Sequence, residues 1–195
     1  MTSAESPGSG EVARLLAALR AGDPTALDRI LPLLYGELRE LAGRVLARER
    51  APVTLLPTDL VHEAYLKLGG SRLAARDRAH FLAIAARAMR QVLVDRARRR
   101  LAAKRGGDAV PVTLSDAEAQ VELALGPDEL VALDDALAGL EPRQRQLVEC
   151  RFFGGMEEAE VAEALGVSVR TVRREWVKAR AWLYRALYRE PEAEG

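Results

Sequence analysis

The stretch EEAEVAEALGVSVRTVRREWVKARAWLYR, residues 157–185, decides the fold, because it reads as two helices joined by a tight turn. Gly166 ends the first helix at a point where a left-handed backbone is favourable only for glycine. Ser168 is placed to cap the second helix by accepting hydrogen bonds from its first free amides. The second helix repeats apolar residues at the three- and four-residue spacing of a helix buried on one face. These residues are Val169, Val172, Trp176, Ala179 and Leu183.

The rest of this second helix is polar and strongly basic, and it supplies the first set of candidate binding residues. They are Ser168, Arg170, Thr171, Arg173, Arg174 and Lys178. A capped basic helix that a tight turn holds at an angle is typical of a helix that enters the major groove of DNA. Because the first turns of such a helix meet base edges, we expect Arg170, Arg173 and Arg174 to read the base sequence. The alternative is an ordinary helical hairpin with a solvated basic face.

The composition favours a wholly helical protein. Of the 195 residues, 49% are hydrophobic and only 5% are aromatic, so the core must consist chiefly of Leu, Ala and Val. Valine, isoleucine and aromatic residues form no alternating runs, and we therefore expect no sheet. The single cysteine, Cys150, excludes an internal disulfide and lies among apolar residues, which indicates a buried structural thiol. No apolar run approaches the roughly 18 residues of a membrane span, and we expect a cytoplasmic protein.

The net charge of zero, from 29 basic and 29 acidic side chains, conceals a strong segregation along the chain. Residues 87–105 carry eight basic side chains and one acidic one, a local charge of +7. Residues 108–141 carry nine acidic side chains and no basic one, and residues 170–189 have a local charge of +6. Two basic segments separated by an acidic one indicate two contacts with nucleic acid on one chain. Charged helices that merely solvate themselves usually mix the two signs at short range.

Helical periodicity predicts a first domain over about residues 10–105. It contains a short helix at 11–21, a helix that starts at Asp23-Pro24 and runs to about Glu49, a helix that Thr58 caps, and a long helix from about Ala79 to Arg105. Pro32 lies inside the second of these helices and should kink it or reset its start. Residues 1–9 before this domain read as a disordered tail.

A second helical domain is predicted over about residues 128–189. Asp128 opens its first helix, Glu141-Pro142 restarts the chain into a helix that carries Leu147, Val148 and Phe152, and the helix pair described above completes it. Residues 106–127 between the domains read as an acidic linker, and residues 190–195 read as a loose acidic tail.

Three stretches of the chain together resemble one family. They are PTDLVHEAYLKL at 57–68, FLAIAARAMRQVLVDRARRR at 81–100, and LEPRQRQLVECRFFGGMEEAEVAEALGVSVRTVRREWVKARAWL at 140–183. In this order they resemble the extracytoplasmic-function (ECF) group of bacterial sigma-70 factors, which are initiation subunits of RNA polymerase with only sigma domains two and four. The resemblance covers nearly the whole chain, and the third stretch is the most specific. It implies an all-α fold with sigma domain two at 10–105 and sigma domain four at 128–189.

The resemblance also implies a function: a sigma factor that binds core RNA polymerase and directs promoter recognition and opening for transcription initiation. Sigma domain four would place the basic helix on the upstream-thirty-five element. Sigma domain two would bind the upstream-ten element through its long basic helix, with Arg87, Arg90, Gln91, Arg96, Arg99 and Arg100 as candidate contacts. Arginines at phosphates supply affinity, whereas Gln91 is the kind of side chain that reads a base edge.

The helix within residues 57–68 is the expected contact with the polymerase. Asp59 and Glu63 are four residues apart and therefore share one face, on which His62 also lies. A negative stripe suits a basic partner, and the resemblance implies the coiled coil of the largest polymerase subunit. Asp59 would also interact favourably with the helix dipole. No second His or Cys stands at ligand spacing from His62, so we expect no metal, and we expect no cofactor.

One departure from the family concerns strand opening. The family often has Phe-x-x-Trp in the second stretch, whereas here Phe81 is followed by Ile84. Aromatic side chains near this helix can hold the opened strand, because bases stack on them. The departure predicts that this chain melts promoters less readily, or that it uses residues 69–80 for the flipped base.

Other classes of protein explain less of the chain. A free-standing helix-turn-helix regulator of duplex DNA accounts for 157–185 but leaves the other two stretches without a role. An enzyme is not expected, because the sequence shows no phosphate loop, metal spacing or paired nucleophile and base. A protein-only adaptor would not need two basic segments. Control is expected from outside the chain, by an anti-sigma factor or by a regulatory kinase acting at Thr58, for which a simple helix cap is the alternative.

Overall fold

A computed structural model describes residues 9–47, 55–70, 73–104 and 125–188, and every regular element in these ranges is helical. The helices are α1 (Ser9–Ala21), α2 (Ala26–Leu46), α3 (Pro57–Gly69), α4 (Arg78–Lys104), α5 (Pro127–Ala138), α6 (Pro142–Val148), α7 (Glu158–Leu165) and α8 (Val169–Tyr188). One turn of π-helix, Glu149–Phe153, continues α6 and is called the π turn below. The all-α prediction is confirmed. No helix in the described ranges is long and apolar enough to cross a bilayer.

Several predicted segments lie wholly or largely outside the described residues. They are the N-terminal tail predicted at 1–9, of which only residue 9 is described, the linker predicted at 106–127, of which only 125–127 are described, and the C-terminal tail predicted at 190–195. Ser9, placed in the tail by the sequence analysis, already belongs to α1.

The predicted start of α2 at Asp23-Pro24 is wrong by two residues. The Asp23 carboxylate accepts hydrogen bonds from the amide and the hydroxyl of Thr25, both at 2.8 Å, and so closes a turn ahead of the helix. These bonds hold the pKa of Asp23 below its ordinary value. α2 then begins at Ala26, continues through Pro32 and ends at Leu46.

The predicted cap at Thr58 is also wrong, because Thr58 is the second residue of α3. Pro57 occupies the first helical position, where its fixed φ suits a helix and its missing N–H would have no intrahelical partner. The Asp59 carboxylate accepts a hydrogen bond from the Leu56 amide at 3.0 Å and so satisfies the start of the helix. The same arrangement starts α5 at Pro127, where Glu129 accepts from the Gly126 amide at 2.6 Å.

The core of the molecule extends across both halves of the chain. Apolar side chains of α1 to α5 form one cluster that also includes Phe153 of the π turn and Ala179 of α8. A second cluster lies beneath α7 and α8 and includes Leu147, Cys150 and Val172, together with Ala83 of α4. Each large side chain that is removed from water contributes about 1.5–3 kcal/mol, so both clusters stabilise the fold.

Helix α4 is the element that the two halves share. It packs against α2 and α3 of the N-terminal half and against α5, the π turn and α7 of the C-terminal half. The N-terminal and C-terminal halves are therefore in direct contact, through the helix whose second half carries the basic segment.

The π turn depends on a glycine. The Gly154 amide donates to the Glu149 carbonyl at 3.0 Å, a bond that reaches back five residues. A Cβ at Gly154 would lie 2.5 Å from the Cys150 carbonyl oxygen, so no other residue fits without a shift of the backbone. Cys150 is buried as predicted, and burial raises the pKa of its thiol to about 12. Phe153 is likewise in the core.

Candidate nucleic-acid and polymerase interfaces

The turn between α7 and α8 has the geometry that the sequence predicts. Gly166 has φ 66° and ψ 39°, the left-handed conformation. The Val167 amide donates to the Ala162 carbonyl at 2.9 Å and the Gly166 amide to Glu163 at 3.1 Å, so the end of α7 is a Schellman motif. Ser168 Oγ accepts from the Thr171 amide at 3.2 Å, which confirms its capping role. The turn therefore holds α8 at a defined angle to α7.

A side chain from the N-terminal half reaches this turn. Arg76 lies in the segment before α4, and its Nη2 donates a hydrogen bond to the Ala164 carbonyl near the end of α7. The segment that carries Arg76 is in turn tied to α1, because Arg20 Nη1 donates to the carbonyls of Ala75 and Arg76 at 2.8 and 2.9 Å. The helix-turn-helix is thus contacted by a hydrogen-bonding side chain of the N-terminal half of the chain.

The buried face of α8 contains one charged residue that the apolar pattern does not show. Val172 and Ala179 are buried as predicted, and so is Glu175. Glu175 accepts hydrogen bonds from Gln144 Nε2 of α6 at 2.9 Å and from Arg174 Nε at 3.2 Å. The bond from Gln144 is the main cause that lowers the pKa of Glu175 below its ordinary value. Sequence reasoning missed the buried role of Glu175, although a single acid within an otherwise basic helix was the signal that could have identified it.

The basic residues of α8 lie on its exposed face. Arg170, Arg173, Arg174 and Lys178 are all exposed, whereas Thr171 is half-buried with its hydroxyl 3.0 Å from Ser168 Oγ. Arg174 and Lys178 each approach Glu175, the latter at 3.5 Å. Of the six residues predicted for the major groove, all except Thr171 are therefore exposed.

Arg173 is held by an acidic residue of α7. Its Nε donates to Glu158 Oε2 at 2.6 Å, and Arg151 Nη1 of the π turn donates to the other oxygen at 3.1 Å. Chiefly because of the Arg173 bond, the pKa of Glu158 is lowered. The Arg151 guanidinium also lies 4.8 Å from the centre of the Trp176 ring. These contacts orient the start of α8 against α7 and the π turn.

The six candidate residues of α4 do not share one exposed face. Arg87 and Arg99 are exposed, Gln91, Arg96 and Arg100 are half-buried, and Arg90 is buried. Arg99 Nε donates to the carbonyl of Asp95 at 3.2 Å. The basic second half of α4 is thus partly available to a ligand and partly engaged within the protein.

Arg90 points into the interface between the two halves. It is 3% exposed, and its guanidinium pairs with Glu149 at 2.7 Å and with Asp134 of α5. Arg87 Nε lies 3.7 Å from the same Glu149 oxygen. In this arrangement Arg90 cannot reach a phosphate or a base.

The predicted polymerase-binding residues of α3 lie on its accessible side. Asp59 and His62 are exposed, and Glu63 is half-buried. Glu63 forms an ion pair with Arg96 of α4, whose Nε lies 3.3 Å from Oε2. Leu66, which sequence reasoning left out of this face, is 72% exposed and follows His62 by one helical turn. An exposed leucine between polar residues is the signal that could have identified it.

Two further residues that the sequence singles out belong to the core. Phe81 is fully buried, and Ile84 is half-buried against the same cluster. Neither presents an exposed side chain on which a base could stack. Among the described residues, no group of three His, Cys, Asp or Glu side chains is placed to hold a metal ion.

Comparison with known proteins gives one family. A family model described as ECF sigma factor matches residues 9–189. Among solved structures, the chain is similar to the sigma factor RpoE of Bartonella quintana, solved in a co-crystal with the anti-sigma factor NepR. The two share 19% identity over 86% of this chain and 99% of that one, with a TM-score of 0.35, which is too low to compare helix placement. No curated protein matches the chain.

Proposed function

The chain belongs to the ECF sigma factor family, and from this premise we propose which of its surfaces meet the polymerase and the promoter. As a member of this family it binds core RNA polymerase and directs promoter recognition in transcription initiation, so the alternative of a free-standing regulator is set aside. We propose that it acts by binding alone and not as an enzyme. We also place it in the bacterial cytoplasm, where polymerase and promoter DNA are found.

Recognition of the upstream-thirty-five element is assigned to α8, within a sigma domain four at 128–189. The observation that supports this assignment is the exposed basic face of α8 directly after the Schellman turn at Gly166. Arg170, Arg173 and Arg174 lie in its first two turns, the part of a recognition helix that meets base edges. Lys178 lies further along and suits a phosphate.

Binding to the upstream-ten element is assigned to the basic half of α4, within a sigma domain two at 10–105. Arg87 and Arg99 are exposed and suit phosphates. Because Phe81 and Ile84 pack in the core, we assign the hold on an opened strand to the cations of α4 and to residues 69–80 rather than to a ring on α4.

The polymerase contact is assigned to the face of α3 formed by Asp59, His62, Glu63 and Leu66. These residues follow a spacing of three and four, so they line one side of the helix. Two acids followed along the same face by an exposed leucine suit a partner that is basic with an apolar patch, since buried apolar area adds affinity to charge complementarity.

Co-elution with bacterial core RNA polymerase tests the assignment on α3. The test variant is Asp59→Asn/Glu63→Gln, because both amides keep an acceptor oxygen for the bonds to Leu56 and Arg96 while the negative charge is lost. The matched control is Glu40→Gln, which removes a carboxylate from the exposed side of α2. We expect the native chain and the control to co-elute with the polymerase and the test variant to be lost at moderate salt. Retention of the test variant would overturn this assignment.

Selection of duplexes from a random pool tests the assignment on α8. We expect Arg170→Ala to relax the selected sequence at one position, because a bidentate arginine–base contact discriminates by about 1–3 kcal/mol. Lys178→Ala should instead weaken all sequences alike and reduce the salt dependence of binding. A uniform loss in Arg170→Ala would contradict base reading by this residue.

Regulation from outside the chain is also part of the proposal. Thr58 is half-buried in the first turn of α3, beside the assigned polymerase contact. A phosphate there would add negative charge near a helix N-terminus and near a basic partner, so a kinase would strengthen polymerase binding. Equal transcription by Thr58→Ala and Thr58→Glu would rule this out and leave an anti-sigma factor as the candidate regulator.

A further inference from the structure

One of the arginines assigned to the promoter is held at a single nitrogen by a carboxylate of the protein. Arg173 of α8 donates a hydrogen bond from Nε to Glu158 Oε2 at 2.6 Å, and its side chain is nevertheless 69% exposed. Among the described residues, no hydrogen bond uses its terminal nitrogens, Nη1 and Nη2. The guanidinium is therefore fixed at its Nε edge, and its two outer nitrogens are left to donate to a ligand.

The carboxylate that holds Arg173 is itself held from the protein side. Glu158 is the first residue of α7, and its Oε1 accepts a hydrogen bond from Arg151 Nη1 of the π turn at 3.1 Å. The Arg151 guanidinium lies 4.8 Å from the centre of the Trp176 ring, which packs against the core. Because both carboxylate oxygens are occupied, Glu158 cannot follow Arg173 into another rotamer. A long surface side chain thus has one preferred direction.

The other exposed arginines at the start of α8 are not held in this way. Arg170 forms no ion pair within the part of the chain that the structure describes. Arg174 Nε lies 3.2 Å from Oε1 of its neighbour Glu175, an oxygen that Lys178 also approaches. Arg173 is therefore the arginine of this face whose direction is set by α7. A direction set by α7 is fixed relative to the whole helix-turn-helix, and hence relative to a groove that α8 enters.

An arginine with both outer nitrogens available matches one base edge in the major groove. Guanine presents two acceptors there, O6 and N7, and an arginine donates to both at once. An arginine that is already oriented loses less rotamer freedom when it forms these bonds, so the correct base is bound more tightly. We propose that Glu158 is a positioning residue that orients Arg173 to read one guanine of the upstream-thirty-five element. This proposal rests on the assignment of α8 to that element.

Orientation of Arg173 differs from simple neutralisation in its effect on DNA binding. The group of Arg151, Glu158 and Arg173 keeps one excess positive charge, so it still attracts DNA. A carboxylate near DNA repels phosphates of every sequence, whereas the orientation of an arginine helps only where its base is present. Loss of Glu158 should therefore reduce discrimination at one base pair without weakening the binding of other sequences.

Discrimination at single base pairs tests the proposal. The full chain, assembled with bacterial core RNA polymerase, selects its best duplex from a random pool, and each G·C pair of that duplex is then replaced by A·T. The variants are Glu158→Ala, Arg173→Ala and their combination, and the matched control is Glu163→Ala, which removes an exposed carboxylate from the same helix. The readout is the ratio of the dissociation constants for the replaced and the selected duplex. This ratio does not depend on the fraction of folded protein, so a purely structural role would not change it.

We expect one guanine at which the native chain and Glu163→Ala discriminate about tenfold, as a bidentate arginine–guanine pair does. Glu158→Ala should lower this ratio to about threefold, because the side chain must then be immobilised on binding. Arg173→Ala should abolish the discrimination, and the double variant should equal Arg173→Ala. The affinity of Glu158→Ala for the replaced duplex should not fall.

An unchanged ratio in Glu158→Ala, with tighter binding to every duplex, would show that Glu158 only neutralises Arg173 and would overturn the proposal. Equal weakening of Glu158→Ala on all duplexes would also overturn it, because that result indicates a structural role. Failure of the proposed function looks different. If Arg170→Ala relaxes the selected sequence while Glu158→Ala and Arg173→Ala do not, the assignment of α8 stands and this inference alone is wrong. If the chain selects no sequence, both are wrong.

Discussion

Replacing Gly166 by alanine is expected to destabilise the protein by about 1–2 kcal/mol through the backbone alone. Gly166 has φ 66°, where the Cβ of an L-residue crowds the following carbonyl oxygen. Asparagine enters this region more readily, because its short amide side chain forms local hydrogen bonds. Gly166→Asn should therefore lose clearly less stability than Gly166→Ala.

Both variants of Gly166 should also lose stability for a second, steric reason. A Cβ at this position would lie 2.8 Å from Arg76 Nη1. The guanidinium is the end of a flexible side chain and can move away, but its bond to the Ala164 carbonyl is then weakened, at about 0.5–1.5 kcal/mol. In an Arg76→Ala background this shared loss should disappear, while the difference between alanine and asparagine should remain.

Urea unfolding followed by far-UV circular dichroism measures both contributions. With a slope of about 2 kcal/mol per molar urea, the backbone contribution shifts the midpoint of Gly166→Ala by about 0.5–1 M. Equal midpoints for the alanine and asparagine variants would refute the reasoning from the left-handed backbone. A shared loss that persists without the Arg76 side chain would refute the steric part.

Three further predictions concern single side chains. Burial raises the pKa of Cys150 to about 12, so the native thiol should resist a disulfide reagent at about pH 8 and react after unfolding in urea; rapid labelling of the native chain would contradict this. Because its ion pairs lower the folded pKa of Glu158 below 4.5, its carboxylate stabilises the fold above that pH, and the stabilisation is lost as the pH falls through the folded value. In urea unfolding, the free energy of unfolding of the native chain should therefore exceed that of Glu158→Gln at about pH 7, and this difference should shrink as the pH falls to about pH 3. Glu163→Gln is the control, and a difference that grows on acidification would be inconsistent with the ion pairs. Phe81→Ala should lose about 3–5 kcal/mol in thermal unfolding and Phe81→Leu much less, because the ring is fully buried, and a loss under about 1 kcal/mol would show that the site is not core.

The helices and the helix-turn-helix could be predicted from the sequence because local rules determine them. Gly166 and Ser168 act on residues at most four positions away, and the apolar stripe of α8 has the period of one helix. Local rules went wrong where two of them compete. The sequence predicted that the Thr58 side chain caps α3. Instead, the helix begins at Pro57, and the Asp59 carboxylate accepts the hydrogen bond from the Leu56 amide.

The contact between the halves could not be predicted from such rules. Arg90 and Glu149 are 59 residues apart, and no periodic pattern connects them. The same basic residues that suggest DNA binding also suit acidic residues of the chain itself, so composition cannot distinguish the two partners. The π turn was hidden for a related reason, since it differs from an α-helical turn by one residue and follows from the tight fit of Gly154.

The position of the two tryptophans gives the molecule a built-in spectroscopic label for one half. Trp176 lies beside the Arg151 guanidinium, and Trp182 Nε1 donates to the Gly139 carbonyl at 3.0 Å, so both indoles belong to α8 and its neighbours. The chain has no other tryptophan. Tryptophan fluorescence, excited selectively over that of tyrosine, therefore reports on the surroundings of α8 in the C-terminal half, whereas circular dichroism averages over all helices. If the halves part before either unfolds, the two signals will change at different denaturant concentrations, and no dye or engineered probe is needed to observe it.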